Sequence, residues 1–433
     1  ARPEAGGAGG GDEGAAMAAL AYDAAPGLGI AFHGVGNSHA AFASAIDTLC
    51  DGRNASVIVD DVGFLLEPYY QDGIIAQAAA NCVARGIPFV SAVGNDGDKG
   101  YRQLYVDIDP ANDDAPDAPP YTPSGVDLHD WGAGDGFLEI EVPAGGEVFV
   151  VLQWNQPHAS VNSSAGAQID LDLYATLQDS MAALNPSSPH FVDRSISAQG
   201  DTGQPLGDAV EFLTLAADAS SAKTFFIAVD HYTGSQDSIP QHAATPLEFR
   251  LVFFGDLSRS EYAFNGSTVW GHPLAAGVIS VAAVPWWEAP DFAPARFGSP
   301  EIDPQPYTAR GGNIALQFDP LGNFSPVTRF APTVAGVDGN KTGWLDTHPG
   351  NENRREAVRR QRLDLRPQRR EVHAVIDGEG GEPRFPGTRH QRRDGELERG
   401  IGKAAGRIRA DNRAIGLAHR GHRVGHGLAG LHS

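Results

Sequence analysis

The chain has 433 residues, of which 41% are hydrophobic, and its formal net charge is −22. This length predicts two or three domains of roughly 150 residues each, and the acidic, lysine-poor composition argues against binding to nucleic acid. No apolar run approaches the roughly 18 residues that a membrane-spanning helix needs, so we expect a globular exported protein with no membrane span.

Three elements are predicted ahead of the central part of the chain. Residues 12–22 are an Ala-rich helix start with acidic residues at its N-terminal end. Residues 28–32 form an apolar run that favours a strand, and residues 40–49 favour a helix. These elements lead into a second apolar run at residues 57–59.

The central stretch is a strand–helix–strand unit. Residues 57–59 and 87–93 are β-branched apolar runs typical of strands that are buried on both faces. Residues 72–84 carry an apolar helical stripe, and Gly86 follows at the position of a C-terminal glycine cap. Two such strands joined through a helix predict a parallel sheet with a right-handed crossover. Ligands bind beyond the carboxyl ends of strands in such sheets, which is where residues 61–63 and 94–95 lie.

Asn95 has two interpretations. The sequence Gly-Asn-Asp-Gly favours a turn in any context, because these residues tolerate turn conformations. Alternatively, an amide held at a strand end can donate to the negative charge that develops on a carbonyl oxygen during acyl transfer.

The order strand, Gly, helix, Gly, strand and then Ala-Val-Gly-Asn-Asp-Gly resembles the centre of the subtilisin/sedolisin-like serine peptidases, the subtilase superfamily. The resemblance implies peptide-bond hydrolysis of a polypeptide substrate, with Asn95 as the donor in the oxyanion hole. It also implies that Val62, Gly63 and Gly94 line the substrate backbone. We further expect a monomer that is secreted or periplasmic, with a signal peptide that this chain does not include.

The general base of that family lies on a helix that opens His-Gly-Thr, and here the matching place reads Glu13-Gly-Ala. A variant group carries D-E-G-x-A-M, which residues 12–17 fit. Glu13 therefore has two interpretations. It is a carboxylate base if burial raises its pKa toward neutrality, or it is an acidic residue that complements the helix dipole.

Residues 105–265 interrupt the α/β pattern. They read as short alternating strands divided by turn residues, which predicts a β-sandwich; the predicted strands are residues 136–142, 147–154, 169–174, 223–228 and 247–254. Asp170 and Asp172 lie on one side of a strand and could contribute to a Ca²⁺ site, but two carboxylates fall short of the 6–8 oxygen ligands of Ca²⁺. A solvated face is the favoured interpretation of this pair, and no cofactor is assigned beyond a possible Ca²⁺.

The α/β pattern resumes after the sandwich, with a predicted strand at residues 278–284 and a stretch at residues 329–339 that resembles the approach to the nucleophile helix of the family. We therefore predict a parallel-sheet subtilisin-like α/β core made of residues 12–104 and 268–342. Residues 105–265 are then an inserted all-β sandwich.

From residue 343 the composition changes. Residues 351–433 hold 18 Arg and one Lys against 11 acidic residues, and the one Gly-Thr of the whole chain, Gly387-Thr388, continues with Arg rather than with the Ser that the family needs. This composition predicts a tail of low order. Either the tail is a basic segment that binds an acidic partner, or the reading frame has shifted near residues 343–350. The strand that carries the family's catalytic Asp is also missing ahead of residue 12.

Two functional hypotheses follow. In the first, the chain is a serine endopeptidase by descent that is catalytically incomplete, because the nucleophile Ser and the orienting Asp have no match. In the second, it is a non-catalytic remnant whose β-sandwich binds protein or glycan. The two cysteines, Cys50 and Cys82, lie in no metal-binding motif; free buried thiols are the default expectation, and a disulfide is the alternative.

Overall fold

The computed structural model describes residues 13–52, 55–108, 127–199, 206–232, 246–288 and 303–339, together with the backbone of residues 372–377. These residues form a mixed α/β structure that consists mainly of strands. The helices are α1 (Glu13–Ala24), α2 (His39–Asp47) and α3 (Ile74–Ala84). The strands are β1 (Gly29–Gly34), β2 (Val57–Asp60), β3 (Phe89–Ala92), β4 (Gly100–Leu104), β5 (Leu138–Val142), β6 (Glu147–Trp154), β7 (Leu171–Thr176), β8 (Phe191–Ser195), β9 (Val210–Ala216), β10 (Lys223–His231), β11 (Glu248–Gly255), β12 (Arg259–Ser260), β13 (Ile279–Pro285), β14 (Gly312–Phe318), β15 (Phe324–Ala331), β16 (Val334–Asp338) and β17 (Val372–Asp377).

The chain divides into two compact units. One comprises Ala1–Asp61 and Val337–Ser433, and the other comprises Val62–Gly336. The β-sandwich and the strand pair β3–β13 thus belong to one unit. The predicted boundaries of the sandwich insertion, at residues 105 and 265, stay a prediction.

The first unit contains a parallel sheet in the order β1–β17–β2. Gly29 of β1 is in register with Val372, and Val57 of β2 is in register with His373. Helix α2 begins after Ser38, whose side chain accepts a hydrogen bond from the Ala41 amide and so satisfies a free N–H of the first turn. The predicted strands at residues 28–32 and 57–59 and the helix at residues 40–49 are confirmed to within two residues.

Strand β17 was not predicted. The sequence predicts a tail of low order from residue 343, and this prediction is wrong for residues 372–377, which pair with strands on both sides. The reason is local, because Val-His-Ala-Val-Ile-Asp is rich in β-branched residues although its surroundings are rich in Arg and Glu. The other residues of the predicted tail from residue 340 onward lie outside the described part of the chain.

In the second unit, helix α3 leads into β3, which pairs in parallel with β13. Gly86 has φ +83° directly after the helix, as expected for a glycine cap. The helix begins at Ile74, two residues later than predicted, with Gly73 as its extended N-cap. Asp72 lies outside the helix and instead accepts hydrogen bonds at 2.6 Å from both Nη atoms of Arg329.

The predicted β-sandwich is present as two antiparallel sheets. One has the order β12–β5–β10–β7–β8 and the other has the order β4–β11–β6–β9. All five predicted strands of this region are confirmed, with shifts of one to three residues at their ends. The alternating apolar residues of both sheets meet in one core, which includes Ile140, Val150, Trp154, Phe225 and Leu251.

Two further findings concern the whole described chain. Cys50 and Cys82 are both disulfide-bonded, so the default expectation of free thiols is wrong. No helix within the described ranges is both long enough and apolar enough to cross a membrane.

Candidate functional site

The predicted base, Glu13, is the first residue of α1. Its side chain lies outside the described part of the structure. The choice between a catalytic base and a partner of the helix dipole therefore stays a prediction.

The loop after β3 is fixed in place by backbone hydrogen bonds. The Ala309 amide donates to the Gly94 carbonyl at 3.0 Å, the Gly97 amide donates to the Tyr307 carbonyl at 2.8 Å, and the Arg310 amide donates to the Gly97 carbonyl at 2.8 Å. Both glycines have positive φ, +102° for Gly94 and +59° for Gly97, which residues with a Cβ rarely adopt. The loop is therefore a braced turn rather than a loosely held one.

Asn95 lies at the tip of this turn, and its side chain is exposed. Among the described residues, its amide group makes no hydrogen bond, so it is available to a ligand. A donor on a braced loop needs little reorganisation when charge develops opposite it. The turn interpretation and the donor interpretation are thus compatible, because the turn holds the amide in place.

Trp270 connects this loop with the predicted substrate-binding segment. Its indole Nε1 donates to the Phe64 carbonyl at 3.0 Å. Its Cη2 atom lies 4.0 Å from the position that a Cβ on Gly94 would occupy. Residues 62–64 and the Asn95 loop therefore contact the same buried indole. Local sequence patterns did not point to Trp270.

Gly63 presents an open backbone. The residue is exposed, and a Cβ placed on it would meet no atom within 4 Å. Val62 beside it is half-buried. An exposed extended backbone with space in front of it can accept a second extended chain through main-chain hydrogen bonds.

Asp96 is a titratable group beside Asn95 that the sequence analysis did not single out. Burial raises the pKa of Asp96 to about 7, while the charge of Lys99 acts in the opposite direction. Its Oδ2 atom lies against Gly94, 3.3 Å from the position of a Cβ there. The loop therefore carries a neutral amide and a carboxyl group whose charge changes near neutral pH.

A second buried pair fixes the segments that flank this loop. Glu67 and His272 are 1% and 0% exposed. The His272 amide donates to Glu67 Oε2 at 2.9 Å, and His272 Nδ1 lies 2.8 Å from Glu67 Oε1. Because Glu67 follows residues 62–64 and His272 follows Trp270, this pair fixes both sides of the Trp270 contact.

Asp170 and Asp172 do not form the predicted solvated face. They are 4% and 5% exposed, and Asp172 lies opposite Asp230, another buried acid, across β7 and β10. Burial, followed by the charges of Asp170 and Asp230, raises the pKa of Asp172 to about 10. The solvated interpretation is wrong because the outer face of this sheet is covered by residues that include Leu128, Phe137 and Leu184.

The described residues contain no group of three or more His, Cys, Asp or Glu side chains that could hold a metal ion. The possible Ca²⁺ site at Asp170 and Asp172 thus has no complete ligand set within those ranges. A comparison of the sequence with protein-family models and with curated proteins yields no match.

Proposed function

We propose that this chain is a subtilisin/sedolisin-type serine endopeptidase by descent, with an extended polypeptide as its ligand. The observation that carries the proposal is the Trp270 contact. One buried indole touches both the open backbone at residues 62–64 and the braced loop that presents Asn95. An extended binding edge next to a fixed amide donor is the arrangement that acyl transfer at a peptide carbonyl requires.

In this proposal each predicted site residue has a distinct role. Gly63, with Val62 beside it, pairs with the substrate backbone, Gly94 allows close approach, and Asn95 donates to the carbonyl oxygen. Glu13 is the candidate base. Because the sequence has no Gly-Thr-Ser motif for the nucleophile, the chain binds substrate at this edge and does not cleave it.

Strand β17 adds a candidate for the orienting acid. It ends at Asp377, which is in register with Gly34 at the carboxyl end of β1. The carboxyl ends of β1 and β2 lie at the same edge of this parallel sheet, where ligands of such sheets bind. The strand that the sequence analysis found missing ahead of residue 12 thus has a counterpart near the other end of the chain.

The binding claim can be tested in the chain as it stands. A fluorescein-labelled unfolded polypeptide, such as reduced and carboxymethylated casein, is titrated with the protein and followed by anisotropy. Gly63→Ala places a methyl group in the open space that the ligand backbone would fill. We expect this variant to weaken binding at least about tenfold, equivalent to about 1.4 kcal/mol.

The matched control is Gly52→Ala. Gly52 is also exposed, and a Cβ there meets its nearest atom only at 4.0 Å, so the fold tolerates both substitutions. The absence of measurable binding, or an equal loss in both variants, would contradict the proposal. Binding that Gly63→Ala leaves unchanged would favour the second hypothesis, in which the β-sandwich is the binding module.

A further inference from the structure

The outer face of the sheet β4–β11–β6–β9 contains a buried cation without a directly bound counter-charge. Arg250 on β11 is 3% exposed. Its Nη2 donates to the Val269 carbonyl at 3.1 Å and to the Ser267 carbonyl. Its guanidinium carbon lies 4.8 Å from the centre of the Tyr69 ring. Within the described structure, Nε and Nη1 of Arg250 hydrogen-bond to no protein atom.

The neighbours of Arg250 share this condition. The hydroxyl groups of Tyr69 and Tyr70 are buried, and no described atom pairs with them. Glu248 uses Oε2 to accept from Arg102 Nη2 at 2.7 Å, while its Oε1 has no partner in the described chain. Buried polar groups in native proteins are nearly always satisfied, and each unsatisfied donor costs about 1–3 kcal/mol. These groups therefore point to a bound species.

The chemistry of that species follows from the balance of donors and charges. Arg250 offers its Nε and Nη1 protons and Tyr69 offers a hydroxyl proton, whereas the one spare acceptor, Glu248 Oε1, lies near the Tyr70 hydroxyl. The two arginines, Arg250 and Arg102, carry two positive charges against the one negative charge of Glu248. A site with surplus donors and one uncompensated positive charge suits a monovalent acceptor.

We propose that Arg250 and the Tyr69 hydroxyl bind a monovalent inorganic anion, a halide such as chloride, between β11 and residues 67–70. Tyr69 also contacts Trp270, with ring centres 5.7 Å apart. The anion therefore stabilises the segment that positions Trp270. The site is independent of peptide hydrolysis and remains even if the proposed function is wrong.

The test uses the full chain. Thermal unfolding is measured in sodium chloride and in sodium gluconate at equal ionic strength, and crystals grown in bromide are examined for anomalous scattering. We expect a saturable, chloride-specific rise in Tm of at least about 2 °C, because a ligand that binds only the folded state raises its stability. We also expect an anomalous bromide peak beside Nε or Nη1 of Arg250.

Arg250→Met should abolish the chloride dependence, whereas Arg259→Met should keep it, because Arg259 is an exposed arginine on the other sheet. If Arg250→Met does not fold, Tyr69→Phe serves as the second variant. It keeps the ring under the guanidinium, removes one donor and should weaken halide affinity several-fold. Equal Tm values in chloride and gluconate with no bromide peak, or an unchanged chloride effect in Arg250→Met, would overturn the proposal.

Discussion

Glu67 and His272 are joined by two contacts that use both oxygens of one buried carboxylate, at 2.9 Å to the His272 amide and at 2.8 Å to its Nδ1. The backbone makes this pairing possible, because Gly271 has φ +67° and a Cβ there would lie 2.7 Å from the Glu67 carboxyl carbon. Glu67 is in turn held by Gln153, whose Nε2 donates to the Glu67 carbonyl at 3.0 Å. The pair therefore links β6 to the turn that follows Trp270.

We expect Glu67→Ala to lower the free energy of unfolding by about 3–5 kcal/mol, because it leaves the polar atoms of His272 buried without their partner. The measurement is urea unfolding followed by tryptophan fluorescence. Asp218→Ala, at an exposed acidic residue of the same unit, should change stability by no more than about 0.5 kcal/mol. A loss of similar size in both variants would show that the pair has no special role.

Arg329→Lys should destabilise the second unit by about 1.5–3 kcal/mol. Arg329 donates from two nitrogens to both oxygens of Asp72 and from Nη1 to the Leu274 carbonyl at 2.8 Å. A lysine ammonium keeps the charge and loses the planar two-pronged geometry. The comparison variant is Arg259→Lys, whose arginine is half exposed and should lose little. Equal unfolding midpoints for the two variants would refute the prediction.

Asp172 should make the protein less stable as the pH rises. Below the ordinary pKa of 3.8, the folded and unfolded chains both hold this proton. Between pH 3.8 and about 10, the unfolded chain releases the proton while the folded chain keeps it. The free energy of unfolding therefore falls across this window and levels off above it.

Asp172→Asn, which keeps the shape and cannot ionise, should flatten this dependence and raise stability at pH 8 by at least about 1.4 kcal/mol, the equivalent of one pKa unit. Urea midpoints measured from pH 4 to pH 9 provide the check. Asp218→Asn should leave the slope unchanged, and a steeper slope in Asp172→Asn would contradict the assigned direction of the shift.

The chain as it stands should show no peptide hydrolysis and no covalent labelling by a fluorophosphonate. The nucleophile, base and donors of such a site act as a unit, so the loss of the nucleophile costs nearly as much as the loss of the whole set. Mass spectrometry after incubation with the probe is the measurement. Labelling of any serine before residue 343 would overturn both the catalytically incomplete interpretation and the assigned site.

A chain whose in-frame C-terminal segment is restored should regain labelling. In that chain Asn95→Ala should then slow hydrolysis about 10²–10³-fold, as expected when one oxyanion donor is lost.

The sandwich strands could be predicted because each has its own local signal. Glu147–Trp154 and Glu248–Gly255 are long apolar runs bounded by turn residues. The same signal was present in Val210–Ala216, whose burial alternates residue by residue, although this strand was not predicted. Helix α3 and the Gly86 cap were likewise local features. The coarse α/β class followed from these elements.

The parts that could not be predicted depend on distant residues. Nothing near Glu67 in the sequence indicates that its partner is His272, and nothing near Gly94 indicates that Trp270 touches it. Burial of Asp170 and Asp172 was missed for the same reason, because alternation assigns them to the outer face and does not reveal that the face is covered. Asp96 was missed because its pKa depends on burial, which a single sequence does not show.

The position of β17 between β1 and β2 has a consequence for synthesis on the ribosome. The nascent chain contains both outer strands early, but their shared partner emerges roughly 300 residues later, about 15–60 s at ~5–20 residues per second. During that interval β1 and β2 each present an unpaired edge, and such edges attract other strands. The first unit is therefore the part of the protein most dependent on a chaperone while translation is under way.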